Sequence, residues 1–182
     1  KDIAKYLNQI FKFKNDFPKK SLPNYDKTSS LKEMLTIANG DYKSRGLASL
    51  RNLESKSFDL IFTQAALEHI RRNEFKDTLV ECHRLLKQDG VLSHVVDYKD
   101  HLGGGLNNLR FPSSLWEKNW FAYQSGFYTN RLRLSEMIKI FEDIGFTVKL
   151  KKVRYWEHCP IKRRNIAKEF QTISDDDLLI SE

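Results

Sequence analysis

The order of apolar patterns along the chain predicts an α/β fold with a largely parallel sheet. Three observations carry that expectation. "FDLIFT" (58–63) is a near-continuous apolar run, the form strands take when helices cover both faces of a sheet. Residues 72 to 87 then place Phe75, Leu79, Cys82, Leu85 and Leu86 at helical spacing. "VLSHVVD" (91–97) is a second apolar run. Strand, helix, strand is a βαβ unit, and such units build parallel sheets through right-handed crossovers.

The remaining elements follow in chain order. Residues 2 to 14 predict a helix, because Ile3, Tyr6, Leu7, Ile10 and Phe13 share one face. Pro18, Pro23 and Asn24 make 17 to 30 a loop. Residues 31 to 38 read as a short helix or an irregular approach. Asp41 to Leu50 is ambiguous, a short strand followed by the loop "RGLASL" being one reading. "QDG" is expected to stop the 72–87 helix, with Gly90 at its left-handed end. "HLGGGLNNLRF" is too rich in glycine for a regular element. Ser135 is placed to cap a helix to Ile144, with Met137, Ile138, Phe141 and Ile144 inward and Gly145 ending it. "FTVKLKKVRY" alternates and predicts a strand at the sheet edge. A last helix is expected over about 163 to 172.

Composition narrows the class. The chain has 182 residues, 40% of them hydrophobic and 30% charged, in the range of a globular domain rather than a disordered tract. One domain, 1–182, is expected, with a long insert at about 98–133 between a strand and its helix. No apolar run approaches the ~20 residues that span a bilayer, and no leader pattern opens the sequence, so a cytoplasmic setting is expected. Cys82 and Cys159 fit neither a CxxC nor a Cys/His pattern, so no metal site is expected. The formal net charge is +7. Between Lys149 and Lys168 eight Lys or Arg residues stand against one acid, Glu157. That run is either a solvated face or a surface for an anionic partner, nucleic acid or membrane; no nucleic-acid signature accompanies it.

In open α/β sheets, ligands bind outside the carboxyl ends of the strands. Thr63 to Glu68 leave the sheet at that rim, and so do Asp97 to His101 after the next strand. Two adjacent strands are therefore expected to deliver polar groups to one cleft.

"SFDLIFTQAALEHI", "LVECHRLLKQDGVL" and the helix ending "FEDIGF" resemble, in this order and spacing, the second half of the class I S-adenosylmethionine-dependent methyltransferases. The family's strand reads FDLI or FDLV before "LEH", and its "LKPGG" turn matches "LKQDG" here. The resemblance covers about 40 to 150. It implies a Rossmann-like fold, S-adenosylmethionine as cofactor, and methyl transfer to oxygen or nitrogen of an acceptor. "SHVVDYKDHLGGGLNNLRF" and "SGFYTNRLRLSEM" resemble a narrower bacterial branch, some members of which are linked to surface-glycan synthesis. This implies a small-molecule or glycan-precursor acceptor. The family's glycine-rich loop, G-x-G-x-G, precedes none of this. The resemblance therefore implies a partial domain, without the first two strands and the last strand of the sheet. The alternative is a non-catalytic module with this fold that holds an anionic partner on the 149–168 patch.

The same resemblance implies that Gly46, Leu47 and Ala48 pack the adenine, against the alternative of an ordinary tight loop. It implies that Gln64, Ala65 and Ala66 flank the methionine part of the cofactor, against simple packing at a strand-to-helix turn. His69 is a candidate base for an acceptor hydroxyl; a helix cap or a bridge to a carboxylate is the alternative. His101 is a second candidate base, with Asp97 or Asp100 placed to orient it; loop hydrogen bonding is its alternative. Asn107, Asn108, Arg110, Tyr128, Asn130 and Arg131 offer amides, a phenol and guanidinium groups suited to sugar hydroxyls, carboxylates or phosphates. Trp116, Trp120, Phe121 and Tyr123 are either a stacking wall or core. His94, inside a strand, is expected to be a core histidine, and Asp59 a structural acid.

Overall fold

A computed structural model describes residues 30–37 and 39–182. The helix expected over 2–14 and all but the last residue of the 17–30 loop lie outside the described residues. The chain divides into two units, Lys1–Arg45 and Gly46–Glu182. In the first, α1 spans Leu31–Ile37. Ser30 opens it, its Oγ accepting from Glu33 N at 3.2 Å, as a serine ahead of a first turn does.

The second unit begins with α2, Leu47–Arg51, opened by Gly46. No strand forms at 41–50; the segment read as a loop is a helix instead. β1 (Phe58–Gln64) and β2 (Leu86–Val95) are joined by α3 (Arg72–Leu85) and pair in parallel, the predicted βαβ unit. Phe75, Leu79, Cys82 and Leu85 are the buried face of α3, as the spacing predicted. Insert residues then form α4 (Ser113–Trp116) and α5 (Asn119–Gln124). α6 runs Leu134–Ile144 and ends on Gly145, whose φ of 110° puts it in the left-handed region. α7 is Asp175–Leu179.

One face of the sheet is covered. Leu92 packs with Phe75 and Leu79 of α3 and Met137 of α6, together with Leu67, Tyr98, Leu132 and Ile180. Each such buried apolar side chain contributes on the order of 1.5–3 kcal/mol by leaving water. The other face is open: Leu60, Phe62 and Val91 are 54%, 72% and 56% exposed. The expectation of a strand buried on both faces is therefore corrected. Within the second unit no element lies over that face, so an apolar run meant for burial is left exposed there.

The turn expected at "QDG" is also different. α3 stops at Leu85, and Leu86 is already extended. Register slips between Phe58–Leu86 and Leu60–Val91, so 87 to 90 form a bulge. Gly90 has no left-handed φ. Its lack of a side chain matters for another reason: a Cβ there would fall 2.9 Å from Leu86 Cδ2 and 3.0 Å from Lys87 O. Lys87 spans the bulge to Asp59 at 2.8 Å, a surface pair that gives Asp59 its structural role.

Ser135 does not cap α6; it lies within the helix, and its N–H and Oγ–H both donate to Asp177 of α7. The strand expected at 146–155 is reduced to one antiparallel bridge, Tyr155 with Ile180. Ser181 N donates to Arg154 O at 2.8 Å, and Ser181 O accepts from Tyr98 N at 3.1 Å. The C-terminal residues thus lie between the exit of β2 and Arg154. In place of a helix over 163–172 there are two short 3-10 turns, Arg163–Asn165 and Lys168–Phe170. Ala167 N donates outside the segment, to Leu109 O at 2.8 Å, which removes a rung from any helical ladder. Ile166 and Phe170 are drawn into a second cluster with Leu106, Leu109, Ile161 and Leu178.

Candidate functional site

Because β1 and β2 are parallel neighbours, both release their chains at one rim. β1 ends at Gln64, and the ladder continues one step further, Ala65 N donating to Val95 O at 2.9 Å. Ala65 has φ 46°, a conformation that costs a non-glycine residue on the order of 1 kcal/mol and turns the chain sharply. Gln64, Ala65 and Ala66 are all exposed on this rim. A 3-10 turn, Leu67–His69, follows and directs Leu67 and Glu68 inward and His69 outward.

From the other strand the chain runs through Asp97 to His101. The His69 and His101 rings meet there, centroids 4.9 Å apart and tilted by 55°. His69 Nδ1 lies 3.1 Å from the Tyr128 carbonyl oxygen, and its Nε2 lies 4.0 Å from Glu68 Oε1. The Glu68 side chain is 5% exposed, and its Oε2 is buried without a partner. Burial raises the Glu68 carboxyl above the usual range, backbone hydrogen bonding and His69 oppose that, and the charge of Asp97 adds to the rise.

Asp100 and Asp97 do not orient His101. Asp100 Oδ1 accepts from Leu102 N at 2.8 Å and Gly105 N at 3.3 Å; Oδ2 accepts from Asn107 N and, at 3.4 Å, from Asn108 N. A buried carboxylate so occupied shapes the loop that carries His101. Asp97 accepts from Lys99 N and pairs with Lys99 Nζ at 3.4 Å.

The insert residues expected to meet substrate are mostly turned inward. Asn130 is fully buried. Its Nδ2 donates to Leu67 O at 2.8 Å and Ile70 O at 3.1 Å, and its Oδ1 accepts from Leu132 N. It clamps the 3-10 turn that presents His69. Tyr128 accepts at its hydroxyl from Arg72 N and donates to Glu117 Oε2 at 2.9 Å. Asn108 donates to Thr129 Oγ1. Arg131, with 0% side-chain exposure, lies between the Trp116 and Phe170 rings at 5.0 Å and 4.6 Å, and donates to Phe111 O and Ser113 Oγ. These four groups hold the scaffold through partners inside the protein, although Asn108 Oδ1 and Arg131 Nε have none. Asn107 is half-buried, its Nδ2 donating to Leu102 O; Arg110 is exposed. Trp116 is core, whereas Trp120 and Tyr123 stand in solvent.

Gly46, Leu47 and Ala48 are engaged in starting α2, which packs on α3: Arg84 donates to Leu50 O at 3.0 Å, and Arg51 pairs with Asp77. Their hydrogen bonds do not run to the Gln64–Ala66 turn. Reading the sequence placed Glu68 at the rim without a role and passed over Arg71 and Glu117. Arg71 donates to Glu117 O and Asn119 Oδ1 and stacks over Tyr123 and Tyr128, which fastens the insert to α3. The one signal available was that a charged residue inside an apolar turn has to be paired. Among the described residues no group of three or more His, Cys, Asp or Glu is arranged to hold a metal ion, and no helix is long and apolar enough to cross a membrane.

A βαβ unit whose two parallel strands deliver a small-residue turn and a pair of imidazoles to one rim is consistent with a partial Rossmann-like α/β fold. A family model agrees. The model described as "Methyltransferase domain" matches residues 22–94, a stretch that includes β1, the 3-10 turn, α3 and β2 up to His94. That model is of a class I S-adenosylmethionine-dependent methyltransferase family, and its match covers less than half of the chain. His101 and the insert lie beyond the match. No curated protein and no solved structure matches the chain significantly.

Proposed function

We propose that the protein is an S-adenosylmethionine-dependent methyltransferase acting on oxygen or nitrogen of a small-molecule or glycan-precursor acceptor. The observation that carries this reading is the meeting of the two strand exits, Gln64–His69 and Asp97–His101, at one solvent-facing rim.

The rim fits the cofactor chemically. Gln64, Ala65 and Ala66 present exposed, small or neutral groups, so neither bulk nor buried charge opposes a sulfonium ligand. Bound there, the cofactor would supply an activated methyl group. The protein's part is placement, since an in-line displacement depends on holding two partners at attack distance. His69 or His101 takes the proton when the acceptor is a hydroxyl. Exposed Trp120 and Tyr123 offer apolar faces, and exposed Arg110 offers a cation, for an acceptor carrying sugar rings or acids.

The reading of a basic binding surface gains less support. Arg154 pairs with Glu182 and Arg163 with Asp175, so two charges of the 149–168 run are neutralised within the protein.

Isothermal calorimetry with S-adenosylhomocysteine tests the proposal. Micromolar binding is expected of the full-length protein, and replacing Ala66 with Trp should abolish it there without unfolding the protein. Absence of heat at millimolar ligand would remove the enzyme reading.

A further inference from the structure

We infer that the outward face of α5 is the acceptor's saccharide subsite, where Trp120 and Tyr123 stack on the apolar face of a neutral pyranose ring. The inference rests on the methyltransferase reading and chooses the sugar ring between the rings and acids named there.

Sequence spacing sets the face. Trp120 and Tyr123 stand three residues apart in α5, and Gln124 stands four from Trp120, so all three share one side of the helix. Trp120 and Tyr123 are 54% and 70% exposed, and Gln124 is exposed beside them. Ring faces left in water side by side mark a contact surface rather than core.

The platform is fixed in advance. Arg71 donates from Nη1 to Asn119 Oδ1 at 3.2 Å and from Nη2 to Glu117 O at 2.8 Å, which ties down the start of α5. Its guanidinium carbon lies 5.1 Å from the Tyr123 ring centroid. One face of Tyr123 is thus held by a cation, and the other is open to a ligand. Trp120 is set edge-on against Phe121, centroids 5.6 Å apart and planes at 78°. Groups ordered before binding cost less to order during it.

Chemistry favours a neutral sugar. From 112 to 128 the exposed large apolar side chains are Trp120, Tyr123 and Phe127, all aromatic, whereas a helix that meets a lipid surface adds aliphatic chains. Among the described residues the Gln124 amide and Asn119 Nδ2 have no hydrogen-bond partner, and amides both donate to and accept from sugar hydroxyls. Arg71 is the cation that touches this face. Its Nη1 and Nη2 are turned to oxygens of the insert and its Nε is buried without a partner, so no guanidinium fork is presented to an acid.

The face adjoins the rim. Arg71 also lies 5.6 Å from the Tyr128 ring, and the Tyr128 carbonyl oxygen is 3.1 Å from His69 Nδ1. One run of contacts therefore leads from Tyr123 through Arg71 and Tyr128 to the strand exits.

The test is titration of the full-length protein with neutral methyl pyranosides: glucoside, galactoside, mannoside, rhamnoside and N-acetylglucosaminide. Indole N–H resonances in 1H–15N NMR are the readout, with Trp120 assigned from Trp120→Phe. At millimolar pyranoside the Trp120 resonance should move, while that of Trp116, buried and bonded to Thr129 O, stays in place. Tyr123→Ala should raise the Kd about threefold to tenfold, and Tyr123→Phe, which keeps the ring, should retain wild-type affinity. A Trp120 resonance that none of the pyranosides moves would overturn the inference, as would equal affinity in Tyr123→Ala. Movement with phosphatidylcholine vesicles alone would overturn it in favour of a membrane contact. The wild-type titration is decisive even if a variant misfolds. Binding of S-adenosylhomocysteine is measured on the same sample. Its presence without pyranoside binding counts against the subsite alone, and pyranoside binding without it counts against the methyltransferase reading.

Discussion

The rings of His69 and His101 stand 4.9 Å apart at the exits of two adjacent parallel strands, although neither is hydrogen-bonded to the other. Their approach depends on two loops folded by unrelated means: a 3-10 turn clamped by Asn130, and a glycine-rich loop wrapped on Asp100. Ring currents make such a contact visible in solution. His101→Ala should shift the His69 ring-proton resonances, while His158→Ala, at an imidazole with 89% side-chain exposure, should leave them in place. One-dimensional and histidine-selective NMR is sufficient to check this.

Asn130 is the clamp. Its side-chain amide meets two carbonyls of the 67–70 segment and the backbone N–H of Leu132, two residues on, all out of water. Asn130→Ala leaves those groups unpaired, and each orphaned buried group costs on the order of 1–3 kcal/mol. A stability loss of about 2–4 kcal/mol in urea denaturation is expected. The same variant should lose the His69–His101 ring contact before global unfolding.

Asp100 plays the corresponding part opposite. Its carboxylate accepts from four backbone amides, and hydrogen bonds to a charged group are worth about 1.5–3 kcal/mol each. Asp100→Asn keeps the shape but forces an amide N–H against backbone donors. It should destabilise by about 2–3 kcal/mol in the same denaturation measurement and raise hydrogen exchange at Leu102 and Gly105.

These roles mark the limit of what the sequence conveys. β1, α3, β2 and α6 were legible because each writes its period into neighbouring residues: 75, 79, 82 and 85 on α3, or the left-handed glycine closing α6 at Gly145. So was the shared rim, because parallel βαβ units allow one arrangement of strand ends. The burial of Asn130 and Arg131 was not legible. A polar side chain in "YTNRLR" reads as a ligand contact until its partners, Leu67 O or Phe111 O, are brought from far along the chain. The exposure of Phe62 was hidden for the converse reason: its apolar character records a burial that no element of the second unit provides. Likewise the 163–172 helix is broken by one distant carbonyl, Leu109 O.

His94 offers a pH test. Its Nδ1 lies 2.6 Å from Thr63 Oγ1, Nε2 is buried without a partner, and burial pushes the imidazole down from 6.5 to about 4. The folded state therefore binds fewer protons than the unfolded chain between those values. Stability from this group is complete above about pH 6.5 and is lost as pH falls toward about 4. His94→Gln does not titrate, so its stability should fall less over that window. The comparison isolates His94, because Glu68 titrates in both proteins. Equal slopes in urea denaturation from pH 7 to pH 4 would contradict the assignment.

Arg131 gives the test of the insert as a packed unit. Its guanidinium fills the space between Trp116 and Phe170, and Glu117 Oε1 lies 3.6 Å away. Burial lowers its pKa to about 10, with Glu117 opposing, so it stays charged at neutral pH. The backbone there has φ 60°, which strains a side-chain-bearing residue. Arg131→Met keeps the apolar contact but removes the bonds to Phe111 O and Ser113 Oγ and leaves Glu117 without its cation. The expected loss is about 2–3 kcal/mol, below that of a fully buried pair because the Glu117 side chain is 26% exposed. Adding Glu117→Gln should restore part of it, a positive coupling in a double-mutant cycle. Trp116 fluorescence, which reports the ring facing Arg131, should shift in the single variant. Were Arg131 instead held free for an anionic acceptor, Arg131→Met would leave both stability and fluorescence at wild-type values.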